Sequence, residues 1–226
     1  MLSLEKISAT IAGISVLRDI SAELSRGSMV AVVGRNGAGK TTLLRLIMGF
    51  LPQHQGRVLL DGADLARVPA RDRARLGIGY APEDRVLFPT FTIEENLRFP
   101  CEVTGMPRRL VDERLDETLT IVPELKPMLA RSGAALSGGQ GKMVALARAV
   151  MAGERLVLLD EPFQGLAPVL AQQYSASLDR LHQLRPELCV VITESNRSLL
   201  KDIPTKTMVL ERGELQADEA AAAAVH

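Results

Sequence analysis

With 226 residues, 46% of them hydrophobic, the chain is long enough for one large α/β domain or for a core with an inserted lobe. Its 27 basic and 27 acidic residues cancel and aromatics make up only 3%, which argues against a broad nucleic-acid surface and against base-stacking platforms. No apolar run approaches the roughly 20 residues needed to span a bilayer, and Met1–Lys6 alternates instead of forming a secretory block, so a reduced protein without a span of its own is expected.

Residues 2–33 read as strands. Leu2–Ile7 alternates, Val16–Leu24 is a second run, and Arg26-Gly27 turns the chain into the short apolar strand Met29–Val33. The next nine residues, Gly34-Arg35-Asn36-Gly37-Ala38-Gly39-Lys40-Thr41-Thr42, fit G-x-x-x-x-G-K-[ST] between a strand and a helix, the context a phosphate-binding P-loop needs. Glycines let the backbone wrap closely round a polyphosphate with its N–H groups turned inward. The helix opening at Lys40 adds its positive dipole end. Lys40 is expected to reach the β- and γ-phosphates, and Thr41 to offer its hydroxyl to Mg²⁺. The competing reading, a Gly-rich turn before an ordinary helix, does not account for the complete Lys-Thr ending.

That helix runs to about Met48 and stops at Gly49. Gly56–Leu60 is a strand closed by Asp61-Gly62, Pro69–Arg75 a short polar helix, and Gly77–Ala81 a strand that stops at Pro82-Glu83. Strand character then vanishes. Thr92-Ile93-Glu94-Glu95 is a capping box opening a helix through Leu97, and Pro100 and Pro107 bracket a loop. A helix over Leu110–Ile121 is broken by Pro123 and Pro127, and a third runs from Ser137–Gly139 through Met151. Residues 84–153 therefore form a helical lobe inserted between 1–83 and 154–216, with an Ala-rich tail over 217–226.

Leu156–Leu159 is apolar without alternation, as a parallel strand buried on both faces should be. Pro168 opens a long helix to about Leu184, and Leu188–Ile192 and Thr207–Leu210 are further strands. Alternating strands and helices imply a mostly parallel sheet with helices on both faces and a ligand crevice at the carboxyl ends of its strands. Lys40, Glu83, Asp160 and Ser195 all follow strand ends, so all can meet there. Cys101, Cys189 and the three histidines match no metal-ligand spacing.

Two further stretches give the P-loop its meaning. Leu156–Leu159 followed by Asp160-Glu161 has the form of a Walker B strand. Its Asp160 suits Mg²⁺, a hard cation, and its Glu161 is placed to polarise a water for attack on the γ-phosphate. By itself the same run is a buried strand with an acidic helix cap. The second stretch, Leu136-Ser137-Gly138-Gly139-Gln140, offers a hydroxyl and Gly N–H groups at a helix N-terminus, which favours an anion.

A P-loop, then LSGGQ, then a Walker B strand resembles the ATP-binding-cassette (ABC) ATPases over nearly all of residues 2–216. The resemblance implies an α/β P-loop NTPase fold with a mostly parallel central sheet, N-terminal antiparallel strands and an inserted helical subdomain. It implies MgATP bound by Gly34–Thr42, Mg²⁺ held through Thr41 and Asp160, hydrolysis through Glu161, and Leu136–Gln140 closing on ATP held by a second subunit. Tyr80-Ala81-Pro82-Glu83 stands where the family has its Q-loop, with Glu83 in place of glutamine as a candidate metal and catalytic residue. Ser195 stands at the switch-histidine position, which points to slow hydrolysis. Ile11 takes the place of the aromatic that stacks on adenine, so similar ATP and GTP affinities are expected. Gly34–Thr42, Tyr80–Leu97 and Gly165–Pro168 are similar to the ATPases of branched-chain amino acid importers and their urea or amide relatives. That likeness implies a homodimer or a heterodimer with a related ATPase, a separate membrane permease met through Phe88, Phe91 and the 84–100 loop, an external substrate-binding protein, no nucleic acid, and a peripheral place on the cytoplasmic face of the membrane. A soluble ABC ATPase of repair or translation and a slow-turnover regulatory subunit are the alternatives.

Overall fold

A computed structural model describes residues 1–52, 55–84, 87–201, 203 and 205–216; His54 and the 217–226 tail lie outside the described residues, as does part of the 84–100 loop. Strand β1 (Leu2–Ile11) hairpins into β2 (Ile14–Leu24), β3 (Met29–Val33) leads through the P-loop into α1 (Lys40–Ile47), and β4 (Gln55–Leu60) and the two-residue β5 (Ala63–Asp64) follow. A short helix α2 (Ala70–Arg73) precedes β6 (Ile78–Ala81). The helical stretch holds α3 (Ile93–Glu102), α4 (Arg108–Ile121) and α5 (Gly138–Ala152). Then come β7 (Leu156–Asp160), α6 (Pro168–Leu184), β8 (Cys189–Glu194), β9 (Lys206–Glu211) and β10 (Glu214–Gln216).

Two sheets result. One is antiparallel, in the order β2-β1-β4-β5; the other runs β10-β9-β3-β8-β7-β6 and is parallel except for β10. Alternate residues of the central strands feed two separate cores, because successive strand side chains point to opposite faces. Val157, Leu159, Val190 and Ile192 pack with α3, α4, α5 and α6, whereas Leu156, Leu158, Cys189 and Val191 pack with α1 and the antiparallel sheet. This two-sided burial explains the unbroken apolar reading of β7 and β8. α5 lies directly on β6: a Cβ at Gly79 would stand 1.9 Å from the Ala149 carbonyl oxygen, so only glycine fits there.

The mostly parallel sheet and the antiparallel N-terminal strands match the fold expected from the sequence, with two local corrections. The helix opened by the Thr92–Glu95 capping box does not stop before Pro100; α3 continues to Glu102. Fully buried Cys101, whose thiol donates to the Met151 carbonyl of α5, fixes that last turn by packing. The next helix begins at Arg108, directly after Pro107, rather than at Leu110.

Candidate functional site

The P-loop is shaped by contacts that exclude side chains. A Cβ on Gly34 would stand 2.2 Å from the Leu210 carbonyl oxygen of β9, and Gly39, at φ 109°, caps α1 in a left-handed conformation that favours glycine. Among the described residues no side chain caps α1, so its first-turn N–H groups stay available to an anion. The cleft above them, about 250 Å³, is lined by Asn36, Gly37, Gly39, Lys40, Thr41 and Thr42 together with Val16, Glu83, Glu161 and Gln164.

Lys40 is buried beneath this cleft. Its ammonium donates to the carbonyls of Gly34 at 2.7 Å and Arg35 at 3.2 Å and pairs with Glu161 Oε1 at 3.0 Å. Glu161 follows β7 in a left-handed turn, φ 44°, and is nearly sealed from solvent. Its Oε2 accepts from the Ser195 hydroxyl at 2.8 Å. Its N–H donates to the Thr193 carbonyl and hydroxyl, each at 3.1 Å.

Asp160, the last residue of β7, is fastened by three hydroxyls. Thr41 and Thr193 donate to Oδ1 at 3.1 and 2.7 Å, and Tyr80 donates to Oδ2 at 3.3 Å. Burial pushes the Asp160 carboxyl above the usual aspartate range, and these three hydrogen bonds oppose it. Tyr80 in turn is raised by burial and by the Asp160 charge. A hydroxyl beside a carboxylate is a hard oxygen pair of the kind Mg²⁺ accepts while keeping phosphate and water ligands. The donor set of Thr41 and Asp160 therefore fits the ion.

The Leu136–Gln140 loop opens α5. Ser137 is exposed and is the N-cap: Gln140 N donates to its Oγ at 3.3 Å and Ser137 N donates to Gln140 Oε1 at 3.0 Å, a reciprocal capping box. Leu136 packs on the lobe core, and Gly139 lies against the Leu166 and Leu170 side chains at the start of α6. The helix start is thus open at the surface. Phe88 and Phe91 are half-buried and join Phe99 in an aromatic cluster with ring centroids 4.6–5.9 Å apart, and Arg148 sits over the Phe88 ring at 5.5 Å.

The sequence profile of the ABC transporter family matches residues 17–164. The chain belongs to that family. It is 34% identical over 215 residues to a probable branched-chain amino acid transport ATP-binding protein, LivF, of Archaeoglobus fulgidus, covering 94% of this chain and 89% of the relative. It is also 34% identical over 223 residues to the high-affinity branched-chain amino acid transport ATP-binding protein BraG of Pseudomonas aeruginosa, covering 99% and 94%. A solved ATP-binding subunit of an ABC transporter superposes with a TM-score of 0.82 at 28% identity, covering 96% of this chain and 88% of that one. The cassette is thus an ATP-binding ATPase of the ABC transporter family.

Within this cassette the structure gathers Lys40, Thr41, Glu83, Asp160, Glu161 and Ser195 at the carboxyl ends of β3, β6, β7 and β8. Glu83 is exposed at the cleft rim. Ile11 stands 40% exposed at the β1–β2 turn and does not line the cleft as it stands; Val16 does. Val16, Thr193, Gln164 and Tyr80 escaped the sequence reading because their roles come from contacts between distant segments. Among the described residues no helix is long and apolar enough to cross a membrane.

Proposed function

We propose that this cassette powers an importer for branched-chain amino acids or related amides, working as a pair of ATPase subunits beneath a separate membrane permease. The observation that carries the ATPase part of the reading is the shared seat of Lys40, Glu161 and Ser195 beside the Thr41–Asp160 pair, with Ser137 exposed at a capped helix start, and the substrate class is supported by the likeness to LivF and BraG. Gly34–Thr42 hold the triphosphate through backbone N–H groups, and Lys40 neutralises the β- and γ-oxygens. Thr41 and Asp160, with Glu83 at the cleft rim, would hold Mg²⁺, which would supply charge neutralisation. Glu161 orients and deprotonates a water, whose oxygen bonds to the γ-phosphorus as the bond to the β-phosphate oxygen breaks, leaving ADP and phosphate. Ser195 holds Glu161 in place. Leu136–Gln140 of the second subunit closes over the same triphosphate.

The lobe of residues 84–153 would carry that signature loop as one unit against the 1–83 and 154–216 core. A groove of about 380 Å³ lined by Arg45, Phe50, Tyr80, Pro82, Asp84, Ala145 and Arg148 lies between α1 and α5, beside the Phe88 cluster, and suits a permease loop. Such a subunit sits on the cytoplasmic face of the membrane as a peripheral chain. The test is co-expression with the permease and binding-protein genes nearest its own. ATP-dependent leucine uptake into vesicles that is lost in the Glu161→Gln variant is the expected result. Purification without any membrane partner, or uptake indifferent to branched-chain amino acids, would overturn it.

A further inference from the structure

The turn that carries Glu161 is held by side chains outside every nucleotide-binding motif. The Glu161 N–H is tied to Thr193, and because Pro162 has no N–H the next backbone groups that hold the turn are the Glu161 carbonyl and the Phe163 N–H. The carbonyl accepts from Lys142 Nζ at 2.6 Å and, within the turn, from the Gln164 N–H at 3.3 Å. The Phe163 N–H donates to Glu194 Oε1 at 2.8 Å. The two supports come from opposite directions: Lys142 from the first turns of α5, Glu194 from the end of β8, one residue before Ser195. Glu161 itself occupies a left-handed conformation that a residue with a Cβ keeps only where its surroundings enforce it. Glu194 is fully buried, and its second carboxylate oxygen has no hydrogen-bond partner among the described residues. Buried carboxylates are seldom left so, and this one faces Lys142, Lys40, Glu161 and Tyr174.

We propose that Lys142 and Glu194 are positioning residues, a two-point clamp that sets the Glu161 turn and couples it to the seating of the signature helix. The inference rests on Glu161 being the water-polarising carboxylate. Lys142 and Ser137 lie on the same end of α5, so any shift of that helix moves the signature loop and the Glu161 carbonyl's partner together. Seated, α5 holds the turn through a charge-assisted bond. Displaced, it removes the charge-assisted bond and leaves the turn to Glu194, Thr193 and the Gln164 N–H. Neither residue lines the nucleotide cleft among the described residues, so the clamp acts on turnover and not on ATP affinity.

The experiment uses the full-length chain and the variants Lys142→Met, Lys142→Arg, Glu194→Gln and Glu161→Gln. Equilibrium ATP binding, single-turnover hydrolysis and amide hydrogen exchange are measured on each. Lys142→Met is expected to slow hydrolysis about tenfold while the ATP Kd stays within about twofold. Exchange of the 163–166 amides should quicken about tenfold in the same variant, and Lys142→Arg should restore most of both. Glu194→Gln retains an acceptor for Phe163 N–H and should leave that exchange near wild type. Unchanged exchange in Lys142→Met overturns the clamp, and quickened exchange with unchanged hydrolysis overturns its part in turnover. Glu161→Gln hydrolysing at the wild-type rate would instead remove the reading of Glu161 on which the clamp depends, with the exchange arm still deciding whether the clamp exists.

Discussion

The ammonium of Lys40 lies 3.0 Å from Oε1 of Glu161, with 4% and 7% of the two side chains exposed. With Ser195 on the other oxygen, the Glu161 carboxylate is fully engaged below the cleft. An incoming triphosphate competes for the same ammonium. Triphosphate binding at Lys40 is therefore expected to free the Glu161 carboxylate toward water.

Removing one member of a buried pair costs more than removing both, because the survivor is left charged and unpaired. Lys40→Met should destabilise the chain by about 3 kcal/mol, and adding Glu161→Gln should recover much of that loss. Urea unfolding of the two single variants and the double variant measures the coupling. A double variant no more stable than Lys40→Met would show that the pair does not matter to the fold.

Ser195 anchors the oxygen of Glu161 that Lys40 does not hold. Ser195→Ala frees that oxygen and should slow single-turnover hydrolysis roughly three- to tenfold, about the worth of one ordinary hydrogen bond. ATP affinity should be unaffected, since the serine contacts the carboxylate and not the P-loop. A large loss of affinity with unchanged turnover would place Ser195 on the phosphate instead.

Glu194 sits behind the same turn, and burial raises its carboxyl to about 7 from an ordinary 4.5. The Phe163 N–H, Lys142 and Lys40 oppose that rise, and Glu161 adds to it. A carboxyl raised on folding stays protonated in the native state where the unfolded chain has already ionised. Its stabilisation is complete below pH 4.5 and is lost as pH climbs through about 7, a change on the order of 3 kcal/mol. Glu194→Gln cannot ionise, so its stability relative to wild type should rise between pH 5 and pH 8. Denaturant midpoints at constant ionic strength measure this, and parallel pH curves for the two proteins would refute it.

Local signals carried much of this architecture. Gly34–Thr42 needs only its own glycines and the strand before it, and Pro168 marked the start of α6 because proline is at ease in a first helical turn. β5 and β10, two and three residues long, are too short for any periodicity to register. Pro100 suggested a helix end where packing of Cys101 against α5 prevailed over local preference. The side chains fastening Asp160 and Glu161 come from Tyr80, Thr193 and Lys142, and no spacing in one chain reveals that such residues meet. Residue types at the switch and Q-loop positions were legible; the contacts Ser195 makes were not.

Ile11 stands at the tip of the β1–β2 hairpin with 40% of its surface exposed, and Ile14 beside it across the turn is 69% exposed. Both lie outside the lining of the phosphate cleft, which Val16 of the same hairpin joins, so they suit contact with the base beyond the phosphates, yet neither offers the π-face on which a purine stacks. Aliphatic contact responds to apolar area alone and distinguishes adenine from guanine poorly. The wild-type chain should therefore bind ATP and GTP with affinities within a few-fold of each other. Ile11→Tyr supplies a stacking face, worth about 1–3 kcal/mol per base, and should tighten ATP binding by at least about fivefold. Lys40 and Asp160 are untouched by this change, so turnover at saturating ATP should hold steady. Titration of both nucleotides against both proteins reads the outcome: a strong wild-type preference for ATP, or a tyrosine variant that gains nothing, would locate base recognition away from this hairpin.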